Sequence, residues 1–404
     1  MIPPPRLIPT LRRATADDLP AIGAAQGRAF GFHMSPADIE DFRPLFEPDR
    51  WLLAHDPADP DPVVAVAASY PFDVTLPGGS VLPAPGVTWV SVAATHRRRG
   101  VLRALMTEQL RGFVADGVAV VLLTASEGGI YGRFGYGAAT TDRRVEIDRR
   151  FVMFRPGAPD PGGARFADAA QARAHAPDVH RRWCARNPGA VSRSERWWEN
   201  VFLDREHHRG GGTALFHLLH DDGYASFRRG PNDTCRVADL FAVTEDAHAA
   251  LWRVVLGLDL VQSVSTTAVP ADDPLPFLLA DGRRVRTTGL ADGLWARILD
   301  VPVALAARTY ATELDVVVEV GDPFLDRGGR FRLRGDPDGA VCEPTTGPPD
   351  VHLDVAALGS LLFGGHRAQT LARARLIDAP DPAVLRRVDA AFTAEREPQY
   401  GTSF

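Results

Sequence analysis

Lysine is missing altogether, and all 45 basic residues of this 404-residue chain are arginine. Against 51 acidic residues they leave a net charge of -6, which argues against an extended nucleic-acid face, since such faces carry a positive excess. The absence of lysine reads as a compositional bias of the genome and is given no chemical meaning. Cysteine is scarce. Cys184, Cys235 and Cys342 are odd in number and far apart, so neither a disulfide framework nor a cysteine zinc site is expected, and no metal ligand set is assigned. Long apolar runs are lacking too: "VAVVLL" is far too short to span a bilayer, so no membrane partner is expected. The opening "MIPPPRLIPT" has no apolar core followed by a small-residue cleavage site, and a cytoplasmic location is the expectation. What is present, 45% apolar and 24% charged residues, is the composition of a folded protein long enough for several domains.

Three segments can be read along the chain. The first runs from a short strand at Leu11 through Thr15, a helix cap with Asp18 three residues on, into a helix. "WLLAH" and "VVAVAASYPFDVTL" follow as strands joined by the turn-rich "DPADPDP", then the strand "GVTWVSVA". After an arginine-rich turn, Val101, Leu102, Leu105, Met106, Leu110 and Phe113 share one helical face, and "VAVVLLTA" is a buried strand. The Pro/Gly-rich "RPGAPDPGGARF" marks a boundary near Arg155. In the second segment, residues 238–259 repeat the order of apolar strand, turn and amphipathic helix, with Glu245 and Asp246 in place of arginines. Two readings stand: a fold duplication whose second copy has lost an anion site, or chance likeness of two strand–helix units. From residue 301 the texture changes, with strands at "LDVVVEV", "GRFRLRG" and "AVCEPT" and helices at "DVAALGSLLFGG" and "DPAVLRRVDAAF". Asp381 and Pro382 start the last of these helices, after which Thr393–Gly401 has the composition of a free tail.

The turn in "VSVAATHRRRGVLRALM" gathers the most chemistry. A strand, a glycine turn and a helix start bring free backbone N–H groups and the positive end of a helix dipole to one point, which suits a diphosphate. Arg97, Arg98, Gly100 and Leu102 fit the spacing Q/R-x-x-G-x-G/A imperfectly, directly between strand and helix. Three arginines alone read rather as a solvated basic loop, and it is the spacing between strand and helix that favours the anion site.

Together, "VSVAATHRRRGVLRALM", "ASEGGIYGRFGYGAAT" and "DPLPFLLAD" resemble the enhanced intracellular survival (Eis) family within the GNAT superfamily of N-acetyltransferases, over essentially the whole chain. The resemblance implies an α/β (α+β) fold of tandem GNAT-like domains, the second degenerate, followed by a sterol-carrier-like domain. The implied divisions are residues 1–156, 157–300 and 301–404. It also implies acetyl-coenzyme A as co-substrate, a small amine acceptor, no metal, and a homo-hexamer built as a trimer of dimers.

Site residues follow by the same resemblance. Val90, Val92, Arg97, Arg98, Gly100, Val101, Leu102 and Ser126 would hold acetyl-coenzyme A. Tyr131 would be the general acid, with Tyr136 as a competitor, since a phenol of pKa about 10 stays protonated at neutral pH. The carboxylate of Phe404 would fold back as the general base, its basicity raised by burial. Phe30, Met34, Phe42, Trp89 and Ser403 match the family's acceptor pocket, although aromatic residues there serve equally as core. The sequence departs from the family in having no pocket acid in "RAFGFHMSP" and in carrying Ser403 where an acid can stand, which points to an acceptor less charged or bulkier than a polycation. The leading expectation is therefore an N-acetyltransferase acting on an aminoglycoside-like, polyamine or other amine. A lipid-binding protein with a relic site and a protein lysine acetyltransferase are the alternatives.

Overall fold

The computed structural model describes residues 9–58, 63–267 and 269–404. Residues 1–8 of the opening stretch and residues 59–62 of the turn-rich segment lie outside them. Among the described residues no helix is long and apolar enough to cross a membrane.

The first unit opens with β1 (Thr10–Arg13), after which the Asp18 carboxylate accepts from the Thr15 backbone N–H at 2.7 Å, as the cap spacing requires. A 3-10 turn leads into α1 (Leu19–Phe30), which buries Leu19, Ile22 and Ala25, and then into α2 (Pro36–Phe42), which has no fully buried residue. The strand expected over residues 63–76 divides at Pro71, which has no N–H to give a ladder, so β2 (Trp51–His55) and β3 (Ala65–Tyr70) are followed by a separate hairpin of β4 (Asp73–Thr75) and β5 (Val81–Pro83). β6 (Gly86–Val92), α3 (Val101–Ala115), β7 (Val120–Thr124) and β8 (Gly137–Ala138) complete this stretch.

The second unit contains β9 (Thr141–Asp148), β10 (Arg165–Ala167), α4 (Ala169–Cys184), α5 (Glu195–Val201), β11 (Phe216–His220), β12 (Gly223–Gly230) and β13 (Thr234–Ala242). It continues through α6 (Glu245–Leu256), β14 (Ser263–Thr266), α7 (Leu275–Leu278), β15 (Val285–Asp292) and β16 (Leu294–Ile298). The third unit runs α8 (Val301–Ala306), β17 (Leu314–Gly321), β18 (Gly329–Asp336), β19 (Gly339–Pro344), β20 (Val351–Asp354), α9 (Val355–Leu361), α10 (Ala368–Arg373), β21 (Ile377–Asp378) and α11 (Pro382–Phe392).

Sheet membership does not follow these linear divisions. The first sheet has the order β1-β2-β3-β6-β7-β16-β8 and the second β10-β11-β12-β13-β14-β9-β15. Thus β9 leaves the first segment to pair in the second sheet, while β16 leaves the second to lie between β7 and β8. Burial accounts for the exchange. Val145 and Ile147 of β9 enter the core around Trp252, and Leu294, Ala296 and Ile298 of β16 enter the core shared with Leu122, Leu358 and Phe363. A boundary at residue 156 therefore separates no two sheets. Each seven-stranded sheet contains one parallel pair, β6/β7 spanned by α3 and β13/β14 spanned by α6, so the two units repeat one plan. The third sheet, β19-β18-β17-β20-β21, packs its apolar face on α8, α9 and α11.

β16 also carries a charge into the joint between the first and third units. Arg297 is fully buried and its Nη2 donates to Asp322 at 2.6 Å, while Nη1 donates to the Ile298 carbonyl at 3.1 Å. Removing one partner of such a pair strands the other in a dry site. Asp322→Ala is expected to lower stability by about 3–5 kcal/mol, the range for breaking a buried pair, visible as a depressed calorimetric midpoint. An unchanged midpoint would contradict this assignment of the joint.

Candidate active site

β6 and β7 pair only at Gly86–Leu122 and Val87–Leu123 and then separate. The cause lies in β6, where Trp89 takes a left-handed φ of 53° and the register against β3 slips, two residues facing one. Gln26, buried on α1, locks this bulge by donating its side-chain amide to the Trp89 carbonyl and, at 3.1 Å, to Ser91 Oγ. Gln26 is a polar residue on the buried face of α1, and no local pattern sets it apart because its partners lie 63 and 65 residues away.

The opening widens into a cleft of about 980 Å³. Its lining includes every residue expected on the acetyl-coenzyme A side, namely Val90, Val92, Arg97, Arg98, Gly100, Val101, Leu102 and Ser126, together with Tyr131 and Phe30. Ser91, His96, Arg99, Arg103, Glu127 and Arg133 also line it and were not anticipated. At the arginine turn the three guanidiniums divide. Arg99 turns inward to buried Asp56 at 3.6 Å, and His96 Nε2 meets the same carboxylate at 3.1 Å. The Ala58 backbone N–H, then His96 and Arg99, hold the Asp56 carboxyl below its ordinary range. Arg97 and Arg98 face outward, exposed. Arg98 has a φ of 63° and Gly100 one of 94°, so the chain makes a left-handed turn that aims the first amides of α3 into the cleft.

At the other end of the cleft lies Tyr131, buried, its pKa pushed up to about 12 by loss of solvent and by Glu127. Tyr136, 6.0 Å from it between ring centroids, is fully enclosed, has no hydrogen-bond partner for its hydroxyl, and does not line the cleft. Of the two phenols, Tyr131 alone reaches the space where a ligand fits.

The tail is not free. Arg396 pairs with Glu245 at 3.1 Å, the Gln399 N–H donates to Pro188 at 3.0 Å, and the Tyr400 hydroxyl donates to Asp142 at 2.8 Å. Arg193 donates to the Gly401 carbonyl at 2.6 Å and to Thr402 Oγ1 at 3.2 Å while ion-paired with Asp239 at 2.8 Å. Gly401, at φ 65°, lies against Trp183, where a Cβ would come within 2.6 Å of the indole. All these partners come from distant segments, which composition cannot reveal. The chain then ends inside the first unit: the Phe404 ring packs on Phe72 at 4.9 Å, and its terminal carboxyl oxygen accepts from Thr124 Oγ1 at 2.9 Å, two residues before Ser126.

The residues expected at the acceptor are divided. Phe42 and Trp89 pack at 4.7 Å with their rings tilted by 42° and join Trp51, while Trp89 Nε1 donates to the Tyr70 hydroxyl at 3.1 Å. Tyr70, Phe72 and Trp197, none of them singled out from sequence, carry this aromatic wall on to Phe404, Trp197 arriving from α5 of the second unit. Met34 packs against Gly23 on α1, and Phe30 lies with the arginine turn. Ser403 faces a separate cavity of about 320 Å³ with Trp197 and Arg193.

Family models agree with this arrangement. An acetyltransferase (GNAT) domain matches residues 10–139, another GNAT domain matches 189–298, and a sterol carrier protein domain matches 301–400. The N-acetyltransferase Eis of Mycobacterium tuberculosis is 41% identical over 396 residues, covering 96% of this chain and 97% of that protein. An uncharacterized N-acetyltransferase of Streptomyces coelicolor is 37% identical over 387 residues, covering 92% and 94%. The crystal structure of Eis1 from Mycobacterium abscessus superposes with a TM-score of 0.87 at 34% identity, covering 98% of this chain and 100% of that one.

Arg193 is the anchor of the tail's last turn. In Arg193→Ala, amide hydrogen exchange at Thr402 and Phe404 is expected to rise by about tenfold or more, the equivalent of losing one charge-assisted hydrogen bond. Equal exchange in both proteins would show that the aromatic contacts alone hold the terminus.

Proposed function

Because this chain belongs to the Eis family of N-acetyltransferases, we propose that it moves the acetyl group of acetyl-coenzyme A onto an amino group of an aminoglycoside-like, polyamine or other amine acceptor. The observation that supports this most is one cleft lined by both the arginine turn and Tyr131, with the chain terminus held at Thr124, two residues before Ser126 of the cleft lining. In this reading Arg97, Arg98 and the first amides of α3 hold the diphosphate, and the parted edges of β6 and β7 accept the amide-bearing arm as a strand accepts its neighbour.

The Phe404 carboxylate takes a proton from the acceptor ammonium, freeing the nitrogen lone pair. That nitrogen attacks the thioester carbonyl, the C–N bond forms, and the C–S bond breaks. Tyr131 hydrogen-bonds the departing sulfur and gives it its proton, and the second proton shed by the nitrogen as the amide forms restores the phenol, leaving amide, free thiol and a protonated Phe404 carboxyl that returns its proton to solvent. Its high pKa keeps the phenol protonated at neutral pH, and the same dry surroundings raise the proton affinity of the emerging thiolate. The missing pocket acids favour an acceptor with an apolar body, and the aromatic cluster from Trp89 to Trp197 packs beside Phe404 rather than lining the cleft itself. The family's hexamer belongs to this proposal and rests on kinship alone. The lipid-carrier alternative draws no support from a first unit whose donor-side residues are all gathered in one cleft.

Arg98→Ala is expected to weaken acetyl-coenzyme A binding by roughly 1–3 kcal/mol in calorimetry, the worth of a charge-assisted hydrogen bond. Unchanged affinity would remove Arg98 from the diphosphate site. The full reading is tested by thiol release from acetyl-coenzyme A with a panel of amines, for the native chain and for one extended by a few residues beyond Phe404. The native chain should release thiol with at least one amine, and the extended chain should be nearly inactive at an unchanged melting midpoint. Full activity of the extended chain would refute the role of the carboxylate, and no release by either would refute the enzyme itself.

A further inference from the structure

Away from the cleft, three metal-ligand side chains from two units converge. Asp38 lies on α2, and His207 and His208 lie in a 3-10 turn, Glu206–His208, beyond α5. Asp38 Oδ1 is 2.7 Å from His207 Nε2 and 3.5 Å from His208 Nε2, and one ligand atom from each residue lies within 4.8 Å of the others. The two imidazole rings are 4.2 Å apart between centroids. Adjacent histidines need not point the same way, yet here both imidazoles turn their Nε2 atoms to one carboxylate oxygen.

The carboxylate is prepared for a divalent ion. Asp38 Oδ2 is engaged by the Ser35 backbone N–H and by Ser35 Oγ, each at 2.8 Å, which leaves Oδ1 directed at the histidines. We propose that Asp38, His207 and His208 form a binding site for a divalent transition-metal ion of the zinc class, and that the bound ion ties α2 to the second unit. Two imidazoles and one carboxylate match the usual nitrogen and oxygen ligands of Zn²⁺, whose bonds of about 2.0–2.2 Å require ligand atoms a little over 3 Å apart. The observed 2.7 and 3.5 Å bracket that spacing, and the side chains of His207 and His208, 52% and 64% exposed, can close the rest by rotating. Water fills the fourth position. Ca²⁺ and Mg²⁺ are disfavoured because they take oxygen ligands.

The consequence falls on α2. This helix has no fully buried residue, and among the described residues it is also tied to the second unit by the Asp41–Arg205 pair at 2.6 Å. Its last residue, Phe42, packs on Trp89. An ion at Asp38 therefore fixes the far end of a helix whose near end forms part of the aromatic wall. No metal was expected from the sequence because Asp38 stands 169 residues before His207.

The test uses the untagged full chain and Zn²⁺ itself, in competition with a chromophoric chelator, with Co²⁺ absorption as a spectroscopic check. One equivalent is expected to bind. His208→Gln, which leaves the Ser35–Asp38 cap untouched, should weaken binding at least about tenfold, since even outer-shell changes at metal sites cost about 10- to 100-fold. Asp38→Asn should do the same. Amide exchange across Pro36–Phe42 should slow on adding one equivalent of Zn²⁺ to the native chain and not to His208→Gln. Equal Zn²⁺ affinity in the native chain and His208→Gln overturns the site, and unchanged exchange in the native chain overturns the strap.

Discussion

Backbone amides and carbonyls that part from their ladder must find other partners, and the separation of β6 from β7 imposes that demand on the whole first unit. Trp89 sets it, since a large side chain at positive φ forces the slip against β3 and turns the strand away from its parallel neighbour. Such a conformation costs on the order of 1–3 kcal/mol and persists only where its surroundings fix it. Here Gln26 holds the bulge from one side, and the tilted ring of Phe42 and the edge-on ring of Trp51 hold the indole from the other. The strain sits where a ligand with its own amides can pair with the open edges. The cleft is thus a deliberate defect in a sheet that is otherwise complete.

A second constraint is covalent connectivity. The chain end reaches Thr124, 280 residues earlier, only because the tail is threaded along the second unit. Tyr400, Gly401 and Thr402 are each held by residues of that unit, from Asp142 to Arg193. The exchange of β9 and β16 serves the same end, since it locks the two seven-stranded sheets together and fixes the distance the tail must span. Arg297 and Asp322 close the joint to the third unit, which cannot drift from the first sheet without breaking that buried charge pair. The second and third units, which bring no donor-side residue to the cleft, are therefore the frame that places the terminal carboxylate.

Local signals in the sequence were reliable where the physics is local. The Thr15–Asp18 cap, the faces of α3 and α6, the buried run of β7, and the Asp381–Pro382 helix start all depend on residues a few positions apart. The arginine turn was legible for the same reason. Strand exchange was not, because β9 and β16 are apolar on one face and fit either sheet by pattern alone. The fixed tail was hidden because every group that holds it lies far away in sequence. The aromatic cluster was only half legible: Trp89 and Phe42 were singled out from sequence, whereas Tyr70, Phe72 and Trp197 join them through tertiary contacts that no spacing records.

The duplicated strand–helix junctions give the clearest physical contrast in the molecule. At α6, Thr244 accepts from the Ala247 N–H at 3.3 Å, and Glu245 and Asp246 complement the positive end of the helix, so the junction is satisfied by its own residues. At α3, Gly100 has no side chain to cap with, the first turn has no acid, and arginines flank a pole that already repels them. Asp56 lies beside the inner two of these basic groups, His96 and Arg99. A basic turn at the positive end of a helix is a local conflict that a bound anion relieves. The sister junction at α6 carries no such conflict, because one threonine and two acids satisfy it.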